Sequence, residues 1–273
     1  MLKIAVTGPN GLLGTSIIDL LQTSFTFIPL SHKDIDVTNK ENVDRVLHKL
    51  DYDILLHLAA YTNVDKAEEE KEKAHLINVV GTKNIFDTVQ QQNKKMIYIS
   101  TDFVFDGENP PYDELSSPNP LGHYAKTKYE GEQIVENNAM IVRISYPYGA
   151  SYSTKPDFVS RLSKLLEEGK ELHMITDATI TPTHIDDIAF ALKHLMNNYS
   201  AEVFHVVGTE TLSPFTAGKL IAEAFEHNTN LITPITFEEY EMNKAPRPQH
   251  SEIVSIKNNF YHMKKFSEAI KTL

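Results

Sequence analysis

The sequence predicts an α/β fold: a doubly wound parallel sheet with a smaller C-terminal α/β region. Three observations predict it. Lys3 to Thr7 is a short β-branched and apolar run that leads straight into Gly8-Pro9-Asn10-Gly11-Leu12-Leu13-Gly14 and then a periodic apolar segment, Leu13 to Leu21. Short apolar strands then alternate with helical patterns as far as Ser145, the rhythm of strand–helix–strand units. Beyond Gly149 the rhythm loosens, as expected of a second, smaller region.

The first strand, glycine turn and helix belong together. Glycines at 8, 11 and 14 let backbone approach a pyrophosphate, and the helix start offers N–H donors and a positive dipole end. This context points to dinucleotide binding. Phe25 to Leu30 reads as the second strand. Many dinucleotide folds place an acid after it to hold the ribose 2′-OH; here Ser31-His32-Lys33 stands there, which suits a 2′-phosphate. The cofactor reading is therefore NADPH, with NADH admitted because Asp34 and Asp36 are close. Thr38-Asn39-Lys40-Glu41 has capping-box spacing and opens a helix through Leu50. Asp53 to Ala59 is the third strand, ending in small residues against which a flat cofactor can lie. Val64 to Gln92 reads as a long helical region whose charge run, Glu68 to Lys73, is a solvated face.

Lys95 to Ser100 is the fourth strand, followed by Ser100-Thr101-Asp102-Phe103-Val104-Phe105-Asp106-Gly107. Polar residues at the carboxyl end of a buried strand lie where ligands bind in open α/β sheets. A proline-rich loop, Gly107 to Pro120, leads to the helix that begins near Tyr124 and runs to Asn137. Tyr124 and Lys128 are four apart and share one helix face. An ammonium there is expected to lower the phenol's pKa, so that the phenol can pass a proton to or from a carbonyl oxygen near neutral pH. Met140 to Ser145 is the next strand. Further on, Asp157 to Glu168 is an amphipathic helix, and Thr181 to Asp187 opens another that reaches Met196. Val203 to Val207 is a strand, Ser213-Pro214 fits N-cap and N1 of a helix through Glu226, and Ile256 to Leu273 reads as mostly helical.

Composition narrows the function classes. With 273 residues, 41% hydrophobic and 23% charged, the chain can bury a full core. Lys+Arg 26 against Asp+Glu 37 gives −11, which argues against nucleic acid or an anionic membrane as partner but leaves room for a small anionic ligand. The absence of cysteine excludes disulfides, thiolate metal ligands and a cysteine nucleophile. The N-terminus lacks a signal-peptide layout and no apolar run approaches the ~20 residues of a membrane helix, so a cytoplasmic location is expected. The 12 histidines show no metal-ligand spacing.

These motifs together resemble the extended short-chain dehydrogenase/reductases, and more narrowly the dTDP-4-dehydrorhamnose reductase group, whose product is dTDP-L-rhamnose. The matching pieces are Gly8-x-x-Gly11-x-x-Gly14, Ala59-Ala60-Tyr61-Thr62-x-Val64-Asp65-Lys66-Ala67-Glu68 and Ser100 to Gly107. Tyr124-x-x-x-Lys128-x-x-Gly131-Glu132, Arg143-x-Ser145 and Arg247-Pro248-x-x-Ser251 continue the series in order. The resemblance implies a Rossmann-type dinucleotide domain over 1–149 plus about 183–208, and a substrate-binding domain over about 150–182 plus 209–273. It implies that Gly8, Gly11, Leu12, Leu13 and Gly14 cradle the pyrophosphate and that Ser31, Asp36 and Val37 lie near the adenosine. Ala59, Ala60 and Tyr61 would line the nicotinamide side, with Asn78 in a proton relay. Tyr124 would be the general acid for a sugar C4 carbonyl. Lys128 would hold the nicotinamide ribose, and Thr101 would share the carbonyl oxygen. Asp102, Val104, Tyr146 and Arg247 would face a nucleotide sugar, dTDP-linked. A homodimer fits the group as well.

The chain also departs from the group. Tyr146 stands where a tryptophan is usual, Asp157-Phe158 replaces Asn-Phe and brings a negative charge toward the expected substrate side, and Asp177 to Thr183 lacks the usual Gln and Gly. Thr15-Ser16 replaces the carboxylate through which some members bind Mg²⁺, so no metal is expected. The cofactor half matches better than the substrate half. Three other activities share parts of the pattern: a nucleotide-sugar 4,6-dehydratase, for which the acid expected after Asp102 is missing; a 4-epimerase; and a non-catalytic, dinucleotide-binding regulatory subunit resembling that of methionine adenosyltransferase.

Overall fold

A computed structural model describes residues 1–150, 153, 155–242 and 244–273; Ser151, Tyr152 and Thr154, inside the expected 150–182 region, and Asn243 lie outside the described residues. The first part of the chain runs β1 (Lys3–Thr7), α1 (Leu12–Leu21), β2 (Thr26–Leu30), α2 (Lys40–Leu47), β3 (Ile54–His57), α3 (Val64–Glu69), α4 (Lys71–His75), a π-helical turn (Leu76–Gly81), α5 (Thr82–Gln91), β4 (Lys95–Thr101), α6 (His123–Val135) and β5 (Met140–Ile144). There follow β6 (Pro147–Tyr148), α7 (Phe158–Glu167), β7 (Leu172–Ile175), β8 (Thr183–His184), α8 (Ile185–Asn197), β9 (Val203–His205), α9 (Pro214–Ala224), β10 (Ile232–Ile235), α10 (Phe237–Glu241) and α11 (Phe266–Ala269).

Among the described residues one six-stranded sheet dominates, in the order β2-β1-β3-β4-β5-β9 with every pair parallel. Parallel strands need crossovers, and the helices that make them cover both faces. On one face Ile4, Val6, Leu56, Ile97 and Val142 pack with Ile17 and Leu21 of α1 and with Ile188, Leu192 and Leu195 of α8. On the other, Ala5, Leu55, Met96, Tyr98 and Ile141 meet Val43 and Leu47 of α2, Ile85 and Val89 of α5 and Val135 of α6. Each such aliphatic side chain contributes roughly 1.5–3 kcal/mol on full burial, so these two layers fix the sheet and its loops. The strand order reverses about β1, placing the switch point between β1 and β3, where open α/β sheets bind ligands.

A smaller assembly stands beyond the carboxyl ends of the strands. Parallel β7 and β10 pair Leu172 with Ile232 and Ile175 with Ile235. Tyr148, Val159, Ile221 and Phe266 form the core between α7, α9 and α11. Asp157 is the N-cap of α7: one oxygen accepts the Ser160 N–H at 2.9 Å and the other accepts the Gly149 and Ala150 N–H groups at 2.9 and 3.0 Å. The charge that set this chain apart at position 157 therefore organises backbone and is buried, rather than facing a substrate. Among the described residues no helix is long and apolar enough to cross a membrane.

Several expected elements differ. The long helix over 64–92 breaks at Glu70 (φ −101°, ψ 46°) and passes through the π turn before α5 resumes. That turn carries Asn78, whose side chain clamps the Tyr61 backbone from both sides: its oxygen accepts the Tyr61 N–H at 2.7 Å and its amide donates to the Tyr61 carbonyl at 3.1 Å. α2 is capped by Asn39, not Thr38, and ends at Leu47. The tail over 256–273 is helical only at Phe266–Ala269 and the 3₁₀ turn after it, because side chains take the backbone N–H groups before it: Ile256 donates to Glu114 Oε2 at 2.9 Å, Tyr261 to Asn258 Oδ1 at 3.2 Å and Lys264 to Asp187 Oδ2 at 2.8 Å. Val254 N–H donates to the Tyr112 carbonyl at 2.8 Å and Ser251 N–H to that of Thr179 at 2.9 Å. β7 and β10 have no counterpart in the sequence reading.

Candidate active site

A cleft of about 860 Å³ opens at the carboxyl ends of β1 to β5. Thr7 to Gly14 line it after β1, Leu30 to His32 and Ile35 to Thr38 after β2, Leu58 to Ala60 and Thr62 after β3, Ile99 to Asp102 at the end of β4, and Ile144, Tyr146 and Pro147 after β5. The fit of a dinucleotide can be tested on the backbone. Gly8 has φ +69°, and a Cβ there would stand 2.8 Å from the Ala59 nitrogen; at Gly14 it would stand 2.5 Å from the Gly8 carbonyl oxygen. Only glycine lets the two strand ends and the helix approach this closely. Gly11 is the N-cap of α1 and no side chain caps that terminus, so its first-turn N–H groups face the cleft uncapped. Ser100 Oγ is buried without a hydrogen-bond partner among the described residues, and it lines the same cleft. An anionic, flat ligand with hydroxyl groups fits this cradle.

Hydrogen bonds tie the strand ends together beneath it. His57 lies fully buried between hydroxyls, with Nδ1 2.7 Å from Thr7 Oγ1 and Nε2 3.2 Å from Thr82 Oγ1. Burial, helped by the Lys128 charge, pushes its pKa down to about 3, so the ring is neutral and serves as a fixed brace. The Thr7 hydroxyl accepts the Ala59 N–H at 3.2 Å, which locks the β3 exit beside the glycine turn.

The chemistry-bearing side chains converge on the other end of the cleft. Thr101, Asp102, Tyr124, Lys128 and Tyr146 all line it. Thr101 Oγ1 donates to Asp102 Oδ1 at 3.0 Å, and Ser145 Oγ donates to Asp102 Oδ2 at 2.8 Å. Burial pushes the Asp102 carboxyl up to about 6 despite these two bonds. Lys128 Nζ donates to the Ile99 carbonyl at 2.8 Å and sits 4.0 Å from the centre of the Tyr98 ring. Burial pushes its pKa down to about 7, with the Glu132 carboxylate pulling the other way. Behind it Glu132 holds Arg143 through two bonds of 3.0 and 2.7 Å, joining α6 to β5.

One expectation is reversed here. The Tyr124 phenol is not brought down by Lys128. Burial pushes it up to about 12; the Thr101 hydroxyl favours the phenolate and the Asp102 charge opposes it. The reason is geometric, since the lysine addresses the Ile99 carbonyl and the Tyr98 ring. Tyr124 is thus a phenol throughout the physiological range.

Other residues fall where the sequence did not put them. Gly8, Gly11, Leu12, Leu13, Gly14, Ser31, Asp36, Val37, Ala59 and Ala60 line the cleft, whereas Tyr61, Val104 and Arg247 do not. Tyr61 has its backbone clamped by Asn78, and its ring lies 5.5 Å from Lys73 Nζ. Val104 is fully buried against Phe105, Tyr112, Val207 and Ile253, because the 3₁₀ turn after Thr101 directs it into that cluster. Arg247 lines a neighbouring groove with Asp106, Glu108 and His250, where it pairs with Asp65 and donates to Tyr240 Oη at 3.2 Å. Asn78 also donates to Thr127 Oγ1 at 2.9 Å, one residue before Lys128. Ser100 and Ser145 were missed; a hydroxyl at a buried strand's end and the Arg143-x-Ser145 spacing were the available signals.

Tyr146 is held at φ +39°, a strained conformation for a bulky residue. Its ring stands between Phe103 at 6.2 Å and Phe158 at 6.1 Å, and Phe103 meets Tyr124 edge-on at 6.1 Å. A row of rings therefore runs from the phenol into the smaller assembly.

Comparison with known proteins agrees with this geometry. The spore coat polysaccharide biosynthesis protein SpsK of Bacillus subtilis is 32% identical over 92% of this chain and 88% of its own length. The methionine adenosyltransferase 2 subunit beta of Rattus norvegicus is 29% identical over 92% of this chain and 80% of its own. The solved structure of dTDP-4-dehydrorhamnose reductase from Bacillus anthracis in complex with NADP superposes with a TM-score of 0.92 at 32% identity, covering 99% of this chain and 98% of that one. The family model described as RmlD substrate binding domain matches residues 2–273, and the chain belongs to that family.

Proposed function

We propose that the protein reduces the 4-keto group of a nucleotide-linked deoxysugar, dTDP-linked as in dTDP-4-dehydrorhamnose, with NADPH as reductant and NADH admitted. One observation carries the reading: Thr101, Tyr124 and Lys128 line the same cleft as an uncapped glycine cradle at the sheet's switch point. A reduced nicotinamide dinucleotide, when bound, supplies the hydride. Tyr124, held as a phenol up to about pH 12, is the proton donor to the ketone oxygen. Thr101 turns its hydroxyl from Asp102 toward that oxygen as negative charge develops. Lys128 holds the ribose hydroxyls, and Gly8, Gly11, Leu12, Leu13 and Gly14 receive the pyrophosphate. Ser31, Asp36 and Val37 take the adenosine, and Ala59 and Ala60 the nicotinamide side. Asp102 and Tyr146 face the sugar. Arg247, which lines the adjoining groove, takes the nucleotide end in this reading, with the assembly over 150–182 and 209–273 as the substrate side.

The test is NADPH oxidation, followed by absorbance, across a panel of 4-keto nucleotide sugars. Tyr124→Phe should lower turnover by roughly 10²–10⁴ while leaving dinucleotide affinity unchanged. A panel that is inert throughout, or undiminished turnover in that variant, would end the assignment. The similarity to methionine adenosyltransferase 2 subunit beta favours a second reading, a dinucleotide-binding regulatory partner. Co-purification with a synthetase from the native host, together with an inert sugar panel, would select it.

A further inference from the structure

We propose that Asp34 sets the choice between phosphorylated and unphosphorylated dinucleotide, by holding with its own carboxylate the two donors that a 2′-phosphate would need. The inference rests on reading the cleft as a dinucleotide site.

Thr7 of β1 and Leu30 of β2 are register partners, so Gly8 and Ser31 leave adjacent parallel strands side by side. A pyrophosphate at the glycine turn therefore places the adenosine ribose toward Ser31, which lines the cleft with His32 and Asp36. A ribose 2′-phosphate binds through N–H and O–H donors reinforced by positive charge. Ser31 offers both donors, yet both point at one oxygen: its N–H donates to Asp34 Oδ2 at 2.9 Å and its hydroxyl to the same atom at 2.6 Å. The Lys33 N–H donates to Ser31 Oγ at 3.3 Å, which orients the hydroxyl further toward the acid. Those bonds, with His32 and Lys33 nearby, hold the Asp34 carboxyl below its usual range, so it is ionised and offsets the cations of this rim. A 2′-phosphate at Ser31 meets occupied donors with a like charge behind them, whereas a plain 2′-hydroxyl needs neither donor. NADPH is accepted, but without the large advantage that Ser31-His32-Lys33 alone would give it.

The bland alternative is that Asp34 only caps the turn in which Asp34 and Ile35 N–H donate to the Ser31 carbonyl at 2.9 and 3.0 Å. Asp34→Asn separates the two, because an amide oxygen still accepts both Ser31 donors while the charge is gone. Equilibrium titrations of NADPH and NADH onto the intact protein, read by nucleotide fluorescence, need no turnover. The wild type should bind the two within about tenfold of each other. Asp34→Asn should tighten NADPH by about tenfold and NADH by less than about twofold, and the gain should shrink in high salt. NADH affinity reports whether the turn has survived, so the ratio decides. An unchanged ratio in Asp34→Asn, or a wild type that prefers NADPH by more than about a hundredfold, would overturn the proposal. A wild type that binds neither nucleotide would overturn the reading of the cleft instead.

Discussion

The two ends of the cleft are built differently. At the cofactor end, function lies in backbone: two glycines that admit no Cβ, an uncapped helix start, and strand ends locked by Thr7, His57 and Thr82. At the other end it lies in side chains carried by short elements distant in sequence, such as Tyr146 between Phe103 and Phe158. A backbone cradle tolerates no variation because each position is fixed by sterics. A side-chain wall can exchange one ring for another and still close. This difference explains why the chain keeps the family's glycine turn yet carries Tyr146 where its resemblance leads one to expect tryptophan.

Three variants or measurements would break or sharpen this contrast. The largest effect is expected beneath the catalytic end. Glu132→Ala leaves the buried Arg143 guanidinium without its carboxylate and should lower stability by about 3–5 kcal/mol, read from denaturant midpoints. A loss below about 1 kcal/mol would show that the pair is not what joins α6 to β5. At the substrate end, Asp157→Ala removes the acceptor of three N–H groups and should cost roughly 2–3 kcal/mol, more than an exposed cap would. Dinucleotide affinity should hardly move in that variant; a matching loss of affinity would mean that the two ends are not separable. The smallest effect is a proton count. In the free protein Lys128 loses its proton as pH rises through about 7. An anionic dinucleotide favours the ammonium, so binding near about pH 8 should take up a fraction of a proton. Below about pH 6 the uptake should vanish, since the lysine is then already charged. Calorimetry in two buffers of different ionisation enthalpy measures it, and proton release would contradict the sign.

Much of the cofactor end was legible because its signals are local. Gly8 to Gly14, the Tyr124–Lys128 spacing and the Ser213-Pro214 start each depend on neighbours a few residues away. What escaped depended on distant contacts or on the direction of a single turn. Val104 was expected to face a ligand, but one 3₁₀ turn sends it into the cluster of Phe105 and Ile253. β7 and β10 are four residues each and find one another across 60 positions, with no alternation to announce them. The tail after Ile256 has helical composition, yet Glu114, Asn258 and Asp187 side chains take the N–H groups of Ile256, Tyr261 and Lys264 that a helix would have used. The direction of the Tyr124 shift also escaped, because spacing along a helix says that two groups are neighbours and not which carbonyl the lysine will choose.

The meeting of Asp65 with Arg247 has a mechanical consequence. Asp65 follows β3, while Arg247 and the Ala245 N–H that shares its carboxylate come from the far part of the chain. This clasp ties α3 to the groove that Arg247 lines, across 182 residues of sequence. The Asp65 side chain is 44% exposed, so dissolved ions reach the clasp and weaken it. At high ionic strength this long-range link should therefore contribute less to holding the far part of the chain in place.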